Sequence, residues 1–128
     1  MIMTMILSSM ICNVQAIPDK QEDAFFKALR IVESNDGKNL IGDNGKAIGP
    51  YQIWYVYWKD AVEYDPSIGG SYKDCMNEAY ARKIVTAYLN RYAKNKSIED
   101  CARIHNGGPK GHTKQATVKY WSRVKENL

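Results

Sequence analysis

Ile31-Val32-Glu33-Ser34-Asn35-Asp36-Gly37 is the stretch on which the reading of this chain turns. Upstream of it Ala24, Phe25, Ala28, Leu29 and Val32 recur at three- and four-residue spacing, the apolar face of an amphipathic helix. Pro18 and Asp19 suit the first turn of that helix. The turn formers Ser34-Asn35-Asp36-Gly37 then stop it, which leaves the carboxyl of Glu33 in the last helical turn. Downstream, Leu40-Ile41-Gly42 and Ala47-Ile48-Gly49 flank Asp43-Asn44-Gly45. An Asn-Gly pair supplies the positive backbone angles of a tight hairpin, so Asp43 is expected in a turn between two short strands.

The remainder reads as helices separated by clear punctuation. Pro50 fits the first position of a helix carried by Trp54, Tyr57, Trp58, Ala61 and Val62. After the Asp65–Gly70 loop, a stripe from Tyr72 through Cys75, Met76, Ala79, Tyr80, Ile84, Ala87, Tyr88 and Tyr92 is the strongest helical pattern and belongs at the centre of the domain. Ser97 with Asp100 approximates a capping box opening a helix through Ile104, which Gly107-Gly108-Pro109 stops. Thr113 is placed to cap a last helix whose Val118, Trp121 and Val124 face inward. The expected fold is mainly α with an α+β flavour: about five helices, one small β-hairpin, and a cleft between them.

At 128 residues the chain fits one domain. Residues 1–16 carry no charge and combine an apolar run, Met1 to Ile11, with Val14-Gln15-Ala16, the pattern of a cleaved signal peptide. The reading is therefore a leader over 1–16, a folded domain over 17–128, and export, either extracellular or into a lysosomal or digestive vacuole. Removing the leader takes Cys12 and leaves Cys75 and Cys101, whose union an oxidising compartment favours. Such a loop is worth about 3 kcal/mol in the entropic account. A net charge of +4 without a dense basic run argues against a nucleic-acid binder and suits attraction to anionic surfaces such as bacterial envelopes. Two histidines and distant cysteines match no zinc spacing, so neither metal nor cofactor is expected.

Hydrolysis of a glycosidic bond needs one carboxyl that keeps its proton and a second that stays ionised. The unpaired carbonyls at a helix C-terminus disfavour a carboxylate, which makes Glu33 the candidate general acid. Asp43, in a solvated, amide-rich turn, is the candidate nucleophile or cation stabiliser, with Asp36 as its rival only three residues from Glu33. Tyr51, Gln52, Tyr55 and Tyr88 offer hydrogen bonds and stacking surface to sugar rings, whereas Trp54, Trp58 and Trp121 are assigned to packing.

Ile31-Val32-Glu33-Ser34, Gly49-Pro50-Tyr51-Gln52-Ile53 and Ala102-Arg103-Ile104-His105-Asn106-Gly107-Gly108-Pro109 together resemble the invertebrate-type, destabilase-like lysozyme family over about Phe26 to Val124. The resemblance implies a lysozyme-like domain acting as a monomer on bacterial peptidoglycan, a muramidase with Glu33 and Asp43 as its carboxylate pair. It also implies that His105, Asn106 and Gly107 line the sugar cleft beside Tyr51, Gln52 and Tyr88; the alternative for His105 is a helix cap. Three alternatives accompany it: a catalytically silent binder of peptidoglycan or chitin, a lytic transglycosylase using Glu33 alone, and an isopeptidase through Ser34, for which no base stands at a supportive spacing. With at most one disulfide expected, the chain departs from a family usually rich in them.

Overall fold

The computed structural model describes Ile11–Cys12 and residues 19–128. The expected leader and its cleavage site lie outside the described residues, apart from Ile11–Cys12. Helix α1 (Asp19–Ser34) buries Phe25, Phe26, Ala28 and Leu29 completely, as its periodicity predicts. It ends because Asn35, Asp36 and Gly37 all take left-handed backbone angles, with φ of 52°, 60° and 86°. The amides of Asn35 and Asp36 still reach back to the carbonyls of Ile31 and Arg30, each at 3.1 Å, so the helical acceptors stay satisfied while the chain turns.

Strand β1 (Ile11–Cys12) pairs antiparallel with a later strand, and β2 (Ile41–Gly42) pairs antiparallel with β3 (Ala47–Ile48) in the expected hairpin. Its turn, Asp43–Gly45, is a single 3-10 turn in which Asp43, Asn44 and Gly45 all have positive φ. A third strand, β4 (Ile53–Trp54), joins β3 to complete a three-stranded sheet. The helix expected at Pro50 therefore starts later: α2 is Tyr55–Tyr64. The reason lies at Gly49, whose φ of 82° and whose contact with the Cys75 carbonyl leave no room for a side chain. The chain reverses there, with the Gln52 amide bonded to the Gly49 carbonyl at 3.1 Å.

The long central stripe is likewise broken once. Tyr72–Met76 is a 3-10 turn opened by reciprocal bonds between Ser71 and Asp74, and Asn77 then caps α3 (Glu78–Tyr92) by accepting from the Tyr80 amide at 3.0 Å. Short polar side chains that bond their own backbone compete with helix continuation, which the apolar periodicity does not register. Helix α3 runs through the core, burying Ala81, Ile84, Val85, Ala87, Tyr88 and Leu89. Strand β5 (Lys96–Ser97) is the partner of β1. Ser97 caps α4 (Ile98–Gly107) by accepting from the Asp100 amide at 3.1 Å, and α4 continues past Ile104 through His105. Two 3-10 turns, Gly111–Thr113 and Gln115–Thr117, precede α5 (Val118–Glu126), so Thr113 does not cap it.

The disulfide expected between Cys75 and Cys101 is not formed. Cys75 is a free, buried thiol in the turn beneath the sheet, while Cys101, on α4 near the Ala93 carbonyl, is engaged elsewhere. The 3-10 turn that interrupts the helical stripe places the Cys75 backbone against Gly49, away from the position helical spacing predicts. Burial, with the nearby Asp74 charge, pushes the Cys75 thiol from 9.0 up to about 12. The unfolded chain then releases this proton at lower pH than the folded one, so the thiol makes stability fall as pH rises from about 9 to about 12. Native protein at pH 8 should leave Cys75 unlabelled by a maleimide and react once urea unfolds it; rapid native labelling would contradict this burial. Gly49→Ala, which combines positive φ with backbone overlap, should cost about 2 kcal/mol or more in a denaturant titration.

Candidate active site

The last turn of α1 delivers Glu33 to one side of a cleft of about 610 Å³, and the hairpin turn delivers Asp43 to the same cleft. Their surroundings differ: the Glu33 side chain is only 16% exposed, whereas Asp43 stands in solvent. Gln52 and Trp54 extend the hairpin side of the cleft, Val56, Tyr57, Asp60 and Tyr88 come from α2 and α3, His105 and Asn106 from the last turn of α4, and Gly108 and Pro109 form the lip after it. Gln52 is held by donating from Nε2 to the Gly49 carbonyl at 3.0 Å, which leaves its Oε1 over Gly42, where any Cβ would overlap it. Another hollow, of about 860 Å³, lies between α1, the end of α2 and α3. It is larger and is lined by Glu22, Asp65 and Glu78, but its Arg82 is already paired with Glu22 and Asp23, at 3.1 and 2.7 Å.

Glu33 is gripped from behind. The Tyr120 hydroxyl, from α5, donates to Glu33 Oε2 at 2.9 Å, and His105 Nε2 lies 3.1 Å from the same oxygen. His105 Nε2 is also 3.1 Å from the Tyr51 carbonyl, and its Nδ1 is 2.8 Å from the Tyr57 hydroxyl. A ring nitrogen facing a carbonyl and a carboxylate must carry the hydrogen, so Nε2 donates and Nδ1 accepts from Tyr57. Burial, with the neighbouring Glu33 charge among its causes, pushes both the Tyr57 and the Tyr120 hydroxyls well above their ordinary value. Both therefore remain protonated donors through the physiological range. Tyr57 is fixed in turn by stacking on Tyr88, with ring centroids 3.6 Å apart.

The structure places Gln52, Tyr88, His105 and Asn106 around the cleft that holds Glu33 and Asp43. Tyr51 is elsewhere: its ring is wholly buried edge-on to Phe26, its hydroxyl donates to Glu78, and only its carbonyl touches the site, through His105. Gly107 backs onto Thr117, whose Cγ2 would lie 2.6 Å from any Cβ, and Gly108 takes its place at the lip. Asp36 points away into an ion pair with Arg30 at 2.8 Å. Tyr55 is exposed against Tyr72 outside the cleft.

Trp54, which periodicity assigns to packing, is 43% exposed and lines the cleft, because β4 replaces the helical turn that would have turned it inward. The spacing of Tyr120 from Val124 reads as ordinary core, and no sequence signal marks its hydroxyl. Ser34 is no free nucleophile: its hydroxyl donates to the Pro50 carbonyl at 2.7 Å and accepts from the Gly37 amide at 2.9 Å. Among the described residues no three His, Cys, Asp or Glu side chains converge as a metal site would require.

A glutamic acid ending a buried helix and an aspartate on a hairpin turn thus face one cleft in a mainly helical domain. Comparison with known proteins identifies the class of fold and enzyme. Residues 23–127 match the Destabilase family model. A lysozyme from Ostrea edulis is 33% identical over 137 aligned positions, covering 98% of this chain and 91% of that protein. Invertebrate-type lysozyme 6 of Caenorhabditis elegans is 36% identical over 88 positions, 60% of this chain and 64% of that one. The solved structures of Meretrix lusoria lysozyme, in complex with Aeromonas hydrophila PliI, and of Tapes japonica lysozyme superpose with a TM-score of 0.69 at 31% identity, over 80% of this chain and 87% of each. The chain belongs to the Destabilase family, the invertebrate-type lysozymes, and is an enzyme of that class.

The turn that presents Glu33 depends on Ser34. Ser34→Ala strands the Gly37 amide and the Pro50 carbonyl, and should cost about 1–3 kcal/mol in urea unfolding. A loss below a few tenths of a kcal/mol would show that solvent replaces both bonds.

Proposed function

We propose that this protein is an exported, monomeric muramidase that hydrolyses the β-1,4 link between N-acetylmuramic acid and N-acetylglucosamine in bacterial peptidoglycan. The observation that carries this reading is the unequal pair: Glu33, half-buried and hydrogen-bonded, and Asp43, solvated, lining one cleft. Glu33 protonates the leaving oxygen while the Asp43 carboxylate stabilises or captures the oxocarbenium-like centre. Gln52 and Asn106 offer amides, each able to donate and accept, to the N-acetyl and hydroxyl groups of the sugars. Trp54 offers an apolar face to a sugar ring at the cleft edge. The family's lysozymes, and the net charge of +4, which favours approach to an anionic cell wall, support the choice of substrate.

Digestion of purified peptidoglycan with mass analysis of the fragments tests the reading. Wild type should release reducing muropeptides. Glu33→Gln should lower turnover by about 10²–10⁴-fold, the usual range for a general acid, and Asp43→Asn should also abolish most activity while both variants melt cooperatively. Anhydro-muramic ends would identify a transglycosylase instead, and binding without cleavage, unchanged in Glu33→Gln, would identify a silent carbohydrate binder. Trp54→Ala should raise KM about three- to tenfold with little change in kcat, as expected for one lost stacking contact.

A further inference from the structure

We infer that Tyr120 and His105 are positioning residues that occupy Oε2 of Glu33 and so make Oε1 the oxygen that carries and delivers the acid proton. The inference rests on the hydrolase reading and goes beyond it, since that reading requires only that Glu33 be an acid.

Oε2 accepts a hydrogen bond from the Tyr120 hydroxyl at 2.9 Å, and His105 Nε2 stands beside it at 3.1 Å. The role of each group follows by accounting. Among the described residues the Tyr57 hydroxyl has one polar partner, His105 Nδ1, so it donates there and Nδ1 holds the lone pair. The hydrogen of a neutral imidazole then sits on Nε2, directed at the Tyr51 carbonyl with Glu33 Oε2 alongside at 3.1 Å. A carboxyl oxygen that accepts from a fixed hydroxyl and lies against an N–H is a poor place for a further hydrogen. Oε1 receives no hydrogen bond among the described residues, and Glu33 lines the cleft, so Oε1 is the oxygen left to hold the proton.

The step then balances. The proton leaves Oε1 for the glycosidic oxygen as the bond from that oxygen to the anomeric carbon breaks. The bonding electron pair goes to the oxygen, and negative charge appears on the Glu33 carboxylate. The Tyr120 hydroxyl is already aimed at that charge and the polar His105 N–H lies beside it, so both favour the charge as it forms without large reorganisation. Tyr57 acts one shell further back by fixing the imidazole tautomer.

A pair of leaving groups separates this role from simple packing. Chito-oligosaccharide depends on protonation to release its sugar, whereas the 2,4-dinitrophenyl glycoside of the same oligosaccharide releases a leaving group that needs no proton. Tyr120→Phe deletes only the hydroxyl. It should lower kcat on the oligosaccharide about 10- to 100-fold with KM within about twofold, and leave the dinitrophenyl rate within about twofold of wild type. His105→Leu should behave in the same way, and His105→Gln, which restores an N–H close to Nε2, should recover part of the loss. If Tyr120→Phe folds poorly, Tyr57→Phe is the second probe and should show the same leaving-group dependence at smaller size. Equal losses on both substrates, or a wild-type oligosaccharide rate in Tyr120→Phe, would overturn the inference. Glu33→Gln run alongside keeps the two claims apart: if it is fully active on the oligosaccharide, the acid itself is misassigned, whereas an inactive Glu33→Gln beside an unaffected Tyr120→Phe removes only the positioning role.

Discussion

A single buried imidazole ties the working parts of this enzyme together. His105 reaches α2 through Tyr57, the turn before β4 through the Tyr51 carbonyl, and the end of α1 through Glu33. Burying a polar ring is costly unless each of its nitrogens finds a partner, and here both do. The cost is thereby converted into specification, because only one relative placement of the three segments satisfies the ring. Cleft geometry depends on this placement as much as on the apolar core, which would tolerate small shifts between helices.

Around that ring the aromatic residues divide into two populations. Tyr57 and Tyr88 bury flat surfaces in the core while lining the cleft, and Tyr120, also buried, reaches Glu33 from behind with its hydroxyl. Trp54 and Tyr55, with the aliphatic Val56 beside them, remain substantially exposed where β4 gives way to α2. The Ser34 bond to the Pro50 carbonyl links the end of α1 to the reversal that creates β4, so the same turn that presents Glu33 also fixes the strand that presents Trp54.

Much of this was legible in the sequence where one physical cue dominates. The periodicity of α1, the Asn-Gly hairpin, the Ser97 cap and the central α3 each follow from a local rule, and the family resemblance drew the distant segments into one site. The misreadings share a cause. Pro50, Cys75 and Trp54 were placed by helical spacing, but local turns at Gly49 and at Tyr72–Met76 break the period, and those turns are dictated by a close backbone approach and by side-chain caps. Gly107 and Tyr51 sit in the right strings and face the wrong way, since a motif specifies neighbours in sequence and not side-chain direction. Tyr120 was invisible because its contribution is one hydroxyl on an otherwise ordinary core position.

The bond from Tyr120 to Glu33 spans 87 residues. During synthesis the acid-bearing helix and the hairpin emerge early, while the residue that completes the acid's surroundings arrives only with α5, close to the C-terminus. A chain that stops short of α5 therefore carries Glu33 without the hydroxyl that bonds it, however well its first half has folded. The surroundings of Glu33 are in this sense the last part of the cleft wall to be assembled, although the cleft's other elements emerge earlier.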